Sequence, residues 1–370
     1  MPTRRFFLQL SALAAGGFVA GCRPSDPVRS EKSALFCMPE EGDPHRRTWM
    51  AFRASTETWG ADLVDRVEQD LGLIARTIAR FEPVSMLISG TEHERARTLV
   101  GHDVELVQRE IDDLWMRDTG PLFVHRNDGS LAGVDLNFNG WGGKQRHEHD
   151  AEVAPFVIDQ VKVDHIETDL VLEGGCIEVD GQGTAIIAES CVLNDNRNPG
   201  VSKEAFTREI SLLLGLEKII WIPGIAGTDI TDGHTDFYAR FAGPGVVVVG
   251  YDPDPASSDH LVTREHEKIL RRATDAAGRS LEVHRLEAPM MVREEFETED
   301  FAAGYIGYYV CNGAVLLQQF GDPTADEAAR ATIAGLFPDR EIVVLDVDGI
   351  AAGGGSIHCT TQQEPMPRKG

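Results

Sequence analysis

The sequence predicts an α/β protein assembled from five ββαβ modules arranged as a ring. Three observations carry that prediction. The order strand, strand, helix, strand recurs along the chain. A polar segment marked by glycine opens each recurrence: Asp118-Thr119-Gly120, Glu173-Gly174-Gly175, Gly233-His234, Gly304-Tyr305 and Gly354-Gly355. The N-terminal region is one strand short of a module, and the C-terminal segment offers that strand. Modules of roughly fifty to seventy residues bury too little core to stand alone, so they must pack on one another. Joining strands from both ends of the chain is a recurring way to close a radial repeat.

Taken in order, the folded body is expected to start at Met38-Pro39. Residues 48–53 read as a strand. The helix after it sets Leu63, Val67, Leu71, Ile74 and Ile78 along one stripe, the spacing of a face turned toward a core. A strand over 84–89 follows, then an added helix over 92–100 and a strand over 104–107. The next module takes strands over 122–125 and 131–137, a helix after Glu148 and a strand near Val163. Another takes strands over 177–179 and 185–189, a helix over 203–214 and a strand over 218–222. Ser202 is its N-cap and Gly215 the glycine that ends the helix. A further module takes strands over 235–241 and 246–251, a helix over 259–277 stopped by Gly278, and a strand over 281–286. The last takes strands over 305–311 and 314–320, a helix within 325–336 and a strand over 341–345. Residues 356–361 supply the strand missing from the N-terminal unit.

The start of the chain reads as a targeting segment. Thr3-Arg4-Arg5-Phe6-Phe7-Leu8 resembles a twin-arginine export signal, and a short apolar stretch follows to Ala20. Val19-Ala20-Gly21-Cys22 resembles a lipobox. Residues 1–21 are therefore expected to be a lipoprotein signal peptide, with Cys22 as the lipidated residue, 22–37 a tether and 38–370 a single catalytic domain. The expected location is the periplasm or cell envelope. An ordinary signal-peptidase site is the alternative. Setting Cys22 aside, five cysteines remain, an odd number, so at least one thiol lies outside any intramolecular disulfide. Cys176, Cys191 and Cys311 sit in or beside apolar runs and read as buried packing.

Charge narrows the partners. Lys and Arg number 35 against 60 Asp and Glu, a formal net charge of −25. Nucleic-acid binding needs basic surface. An acidic balance is compatible with a cationic ligand, although bulk charge governs solubility and encounter more than chemistry. With no CxxC pair, neither a zinc ribbon nor a thioredoxin-like site is indicated.

The module starts carry the reactive residues. Equivalent positions of a radial repeat face one axis, so Asp118, Glu173, His234, Asp236 and Cys359 are expected to converge on one pocket. That would gather a thiol, an imidazole and three carboxylates beside glycines. The competing readings are structural: Glu173 as a turn cap, Asp118 paired with Arg117 or Arg240, and Trp115 as core. His358 is expected to point away from Cys359 by strand alternation.

Six motifs in order then identify a family. They are Met38-Pro39 with Thr48-Trp49-Met50; Trp115-Met116-Arg117-Asp118-Thr119-Gly120-Pro121; Asn139-Gly140-Trp141-Gly142-Gly143-Lys144; Glu173-Gly174-Gly175; Gly233-His234-Thr235-Asp236 with Arg240-Phe241; and Gly355-Ser356-Ile357-His358-Cys359-Thr360-Thr361-Gln362-Gln363. The chain after Met38 resembles the agmatine deiminases, within the group that holds the Porphyromonas-type peptidyl-arginine deiminases. The resemblance implies the pentein fold, a five-bladed pseudo-symmetric α/β propeller. It implies Cys359 as nucleophile and His234 as general acid/base. Asp118, Glu173 and Asp236 would surround the guanidinium, and Trp115 would lie beside it. Trp141 and Lys144 would form a wall or lid. Ser356 and the Phe52-Arg53 pair depart from the family pattern.

Such residues suit a guanidinium, which is planar, cationic and rich in N–H donors that carboxylates match in pairs. The implied reaction is agmatine to N-carbamoylputrescine and ammonia through a covalent thiouronium, with no metal or organic cofactor. Peptidyl-arginine deimination is the alternative, favoured by export. An amidinotransferase and a non-catalytic guanidine-binding lipoprotein are further alternatives. The expected partners are a small guanidine or a peptidyl-arginine, with no nucleic acid, and a membrane only through the lipid anchor.

Overall fold

The structure is a computed structural model that describes residues 35–296 and 300–368. The expected signal peptide, the lipidated Cys22 and most of the tether lie outside the described residues.

Five small sheets follow one another along the chain. Blade 1 contains the strands Phe36–Cys37, Leu122–Arg126, Leu131–Val134 and Asp164–Ile166. Blade 2 contains Ile177–Val179, Thr184–Ala188 and Lys218–Ile222. Blade 3 contains Ala239–Gly243, Val246–Tyr251 and Glu282–Glu287, and blade 4 contains Tyr309–Cys311, Ala314–Gln318 and Glu341–Leu345. Blade 5 joins the two ends of the described chain. Gln362–Pro365 pairs antiparallel with His45–Phe52, which continues parallel to Val84–Ile88 and Val104–Gln108.

Every blade repeats one rule. An antiparallel pair, a hairpin in blades 1 to 4 and a pairing of the two chain ends in blade 5, is followed by a helix that crosses over to a parallel third strand, as parallel neighbours require. In blade 2 Ile186 faces Glu178 across the antiparallel ladder and Ile220 across the parallel one. The helices are Val153–Val161, Lys203–Leu214, Asp259–Leu270, Pro323–Leu336 and, in blade 5, Thr56–Ile78. Ser202 accepts from the Ala205 N–H at 3.2 Å, and Gly215 ends that helix in left-handed geometry, as the sequence predicts. Among the described residues, no helix is long and apolar enough to cross a membrane.

Strand alternation explains why the blades form a ring. Val247 and Val249 pack with Ile186 and Ile222 of blade 2, while Val248 between them packs with Val310 and Val315 of blade 4. Ala185 and Ile187 of blade 2 pack with Leu122 and Val124 of blade 1. Met50 and Met86 of blade 5 pack with Leu316 and Leu345 of blade 4, and Trp49 and Leu87 pack with Phe123 of blade 1. The five apolar clusters thus lie between successive blades, the last closing onto the first. The fold is the five-bladed α/β propeller.

Several expected boundaries move. Phe36–Cys37 pairs with His125 and Arg126, so the folded body begins within the segment read as tether. The closing strand is Gln362–Pro365; within 356–361, His358–Thr360 form a single 3₁₀ turn. Likewise 235–237 and 305–307 are 3₁₀ turns ahead of strands that start at Ala239 and Tyr309. The blade 3 helix ends at Leu270 instead of Ala277. Asp275 accepts from the Arg279 N–H at 2.8 Å and folds the rest into a tight loop.

Candidate active site

Each blade is preceded by a one-turn helical segment: 116–119, 174–176, 235–237, 305–307 and 358–360. Backbone bonds between residues three apart close four of them, including Asp118 N–H to Trp115 O (3.0 Å) and Cys176 N–H to Glu173 O (3.0 Å). The turn at 116–119 touches those at 358–360 and 174–176, and the turn at 235–237 touches those at 174–176 and 305–307, so the expected convergence is real. Asp118, Glu173, His234, Asp236 and Cys359 come together and all are buried.

His234 sits among the acids. Its Nε2 lies 3.2 Å from Glu173 Oε2, while Nδ1 lies 3.7 Å from Asp118 Oδ1 and 4.0 Å from Asp236 Oδ1. Asp118 accepts from Trp141 Nε1 at 3.0 Å and from the Gly175 N–H at 3.2 Å. Neither Arg117 nor Arg240 pairs with it; both are engaged by Glu41 instead. Asp236 accepts from His358 Nδ1 through Oδ2 at 2.7 Å, leaving its buried Oδ1 with no hydrogen-bond partner. Gly175 floors the space between them. A Cβ there would lie 2.5 Å from His234 Nδ1 and 3.1 Å from both Asp118 Oδ1 and Asp236 Oδ2. The absence of a side chain keeps a gap open between two carboxylates.

The Cys359 thiol adjoins the same acids, with Ser356 Oγ 3.3 Å from Sγ. Burial pushes this thiol up, and the Asp236 and Asp118 charges push it further. Burial also raises Asp118, to about 6, with Asp236 and Glu173 adding repulsion against the pull of His234. Burial works against the Asp236 carboxylate too, but the bond and charge of His358 hold it below the usual range. Glu173 is likewise lowered: burial opposes its charge, and His234 with Arg197 outweigh burial. Although burial disfavours imidazolium, the Cys176, Asp118 and Glu173 groups raise His234 well above an ordinary histidine.

Other residues complete the site. Arg197 donates Nε to Glu173 at 2.9 and 3.0 Å and Nη1 to Asp232 at 2.9 Å, holding Glu173 against His234. Glu41 accepts from Arg117 (2.9 Å), Arg240 (2.8 Å) and His358 Nε2 (2.9 Å). His358 therefore does not point away from the chemistry. It lies on a turn instead of a strand, and it bridges Glu41 to Asp236. Trp141, expected only as wall or lid, bonds Asp118 directly. Lys144 is tied to Asp232 at 2.7 Å. Trp115 packs on Trp59, with centroids 5.6 Å apart, and against Gly355, where a Cβ would collide with its ring.

Glu41 and Arg197 gave no sequence signal. Each is a charge in a polar loop, and only folding shows that it is buried. Among the described residues, one group could offer a metal four ligand atoms, Glu173, Cys176, Cys191 and His234, all within 4.8 Å of one another. The Arg197 guanidinium on Glu173 opposes a further cation there.

A propeller of this kind with a buried thiol, an imidazole and paired acids, taken with the relatives that follow, marks a hydrolase acting on a guanidino C–N bond. Residues 37–365 match the profile of the Porphyromonas-type peptidyl-arginine deiminases, and the chain belongs to that family. A Streptomyces coelicolor protein, provisionally named an agmatine deiminase, is 46% identical over 338 residues, covering 89% of this chain and 99% of its own. The agmatine deiminase of Pseudomonas aeruginosa is 35% identical over 368 residues, covering 93% and 100%. The solved structure of the Enterococcus faecalis agmatine deiminase superposes with a TM-score of 0.84 at 32% identity, covering 90% and 96%.

Proposed function

We propose that the chain hydrolyses agmatine to N-carbamoylputrescine and ammonia through a covalent intermediate on Cys359. The observation that carries this reading is the buried Asp236 Oδ1, which has no hydrogen-bond partner and lies 4.0 Å from the same His234 Nδ1 that Asp118 Oδ1 approaches at 3.7 Å. A buried acceptor without a donor is costly, and a guanidinium inserted there supplies N–H groups to both acids. The names of the relatives above support agmatine as the source of that guanidinium.

Chemistry follows from the charges. In the free enzyme the Cys359 thiol is held protonated by burial and by Asp236 and Asp118. The bound cation offsets those acids, so the thiol releases its proton and the thiolate attacks the central carbon. His234, kept protonated by its acidic neighbours, gives its proton to the departing nitrogen, and ammonia leaves as the thiouronium forms. The now neutral His234 takes a proton from water, whose oxygen attacks the same carbon. The C–S bond breaks, the new carbonyl sheds its proton to sulfur, and His234 is again charged. The proton released at binding accompanies ammonia as ammonium. Glu173, clamped by Arg197, holds His234 so that Nδ1 faces the gap.

Ammonia release by the full chain, compared between agmatine and an arginine-containing peptide, tests the reading. Agmatine is expected to be turned over and the peptide not, with Cys359→Ser inactive but still binding agmatine. Turnover of the peptide alone refutes the substrate, and an active Cys359→Ser refutes the covalent route.

A further inference from the structure

The mechanism leaves three buried thiols unused, Cys176, Cys191 and Cys311, and the first two face each other. Cys191 Sγ lies 2.8 Å from Cys176 Sγ, and Cys176 Sγ lies 3.2 Å from Glu173 Oε2. Both cysteines are fully buried and both are free. They lie on adjoining parts of one blade. Cys176 closes the 3₁₀ turn ahead of Ile177–Val179, and Cys191 lies in the short helical turn Glu189–Val192 that follows Thr184–Ala188. Because the antiparallel ladder already joins these parts, a covalent link needs movement of side chains only. Simple apolar packing, the reading their sequence surroundings suggest, does not account for two sulfurs facing each other beside a carboxylate.

We propose that Cys176 and Cys191 form an oxidisable dithiol, a disulfide-forming modification site in the wall of the active site, whose oxidant is a small peroxide. Three features support it. The sulfurs are already in contact. Burial raises both thiols, and the positive charge of His234 at Cys176 and of Arg197 at Cys191 opposes that rise; held on Glu173 at 3.2 and 2.9 Å, these cations offset part of the cost of forming the thiolate that starts such chemistry. Full burial excludes bulky disulfides, so the oxidant must be as small as hydrogen peroxide. One thiolate attacks the peroxide O–O bond and becomes a sulfenic acid as the first water leaves. The second thiol displaces that oxygen as the second water. Two thiols and one peroxide give one disulfide and two waters; the sulfurs lose the two electrons that the peroxide gains.

Oxidation would reach the chemistry through Glu173. The disulfide removes the Cys176 S–H that donates to Glu173 Oε2, leaving this carboxylate a stronger partner for His234 Nε2. His234 then surrenders its proton less readily.

The test treats the full chain with hydrogen peroxide, unfolds it, blocks free thiols with iodoacetamide, digests it and weighs the peptides. Cys176 and Cys191 peptides joined to each other, two hydrogens lighter and separated by dithiothreitol, are the expected result. Both cysteines alkylated after peroxide, or joined elsewhere, overturn the proposal. The activity arm rests on the deiminase reading, whereas the mass arm does not. Agmatine turnover is expected to fall about tenfold on oxidation, the rate equivalent of one hydrogen bond, and to recover with dithiothreitol. Cys191→Ala, which keeps the Cys176 donor, should start with full turnover and show no such recoverable loss. An equal recoverable loss in Cys191→Ala overturns the link to catalysis. Absence of turnover in every sample counts against the deiminase reading alone, since the peptide masses still decide the disulfide.

Discussion

His358 Nδ1 lies 2.7 Å from Asp236 Oδ2. The other nitrogen of the same ring lies 2.9 Å from Glu41 Oε2, so one imidazole is clamped between two buried carboxylates. Glu41 is in turn fixed by Arg117 and Arg240. The clamp leaves Asp236 with one oxygen engaged and the other free, the condition for receiving a guanidinium edge. His358→Ala is expected to release Asp236 and cost about 1.5–3 kcal/mol of transition-state binding, the range for a hydrogen bond to a charged group. That is roughly ten- to hundredfold in kcat/KM. Steady-state kinetics on agmatine check it. Unchanged kcat/KM would show that Asp236 is positioned by other contacts.

Asp118 sets an acid limit on binding. Its carboxyl is raised to about 6 by burial and by Asp236 and Glu173. Below that pH it is protonated and neutral, and a neutral acid loses its charge attraction for guanidinium. KM for agmatine is expected to rise as pH falls through about 6, with kcat/KM falling in step. In Asp118→Asn that limb should vanish from an already weakened enzyme. A wild-type KM that stays flat down to the ordinary carboxylate range would contradict the assignment.

How much of this was legible beforehand follows from which forces act locally. The alternation of the blade strands and the caps at Ser202 and Gly215 are local signals, and they predicted the sheets and helices. The meeting of Asp118, His234, Asp236 and Cys359 followed from counting modules, because equivalent positions of a ring share an axis. Turns at that axis were misread as strands in 235–237, 305–307 and 358–360, since a one-turn segment has no periodicity of its own. That error turned His358 the wrong way. Glu41 and Arg197 stayed hidden because nothing in a polar loop announces that its charge will be buried against partners more than twenty residues away.

The resting thiol should be sluggish. Burial and two nearby acids raise Cys359 above the ordinary thiol range of about 8.5. Alkylation of Cys359 by iodoacetamide, followed by peptide mass, is expected to be slower than that of a free thiol at neutral pH and to accelerate as pH rises past that range. Asp236→Asn removes one repelling charge and should speed alkylation several-fold at the same pH. A rate already at its plateau near pH 7 would mean that the thiolate exists before substrate arrives.

Gly175 offers a test of space. A methyl group there would sit 2.5 Å from His234 Nδ1 and 3.1 Å from both Asp118 Oδ1 and Asp236 Oδ2. Gly175→Ala is therefore expected to displace the imidazole and intrude on the guanidinium plane. A misplacement of about 1 Å costs on the order of a hundredfold in rate. Circular dichroism should show a folded protein while kcat/KM falls by at least that factor. Retained activity would place the substrate elsewhere.

Arg197 is the structural counterweight of the acids. Its side chain is fully buried and spans Glu173 and Asp232 at 2.9 Å each. Arg197→Met keeps much of the volume but takes one cationic partner from each carboxylate, leaving Glu173 with His234 and Asp232 with Lys144. Breaking a buried pair in this way costs about 3–5 kcal/mol, so the thermal midpoint should drop sharply. Adding Glu173→Gln should recover part of that loss, because one of the two under-compensated charges is then gone, although activity should not return, since His234 has lost its Glu173 partner. Thermal unfolding of the single and double variants measures the coupling directly. Additive losses, with no recovery in the double variant, would show that Arg197 acts through packing and not through the charge of Glu173.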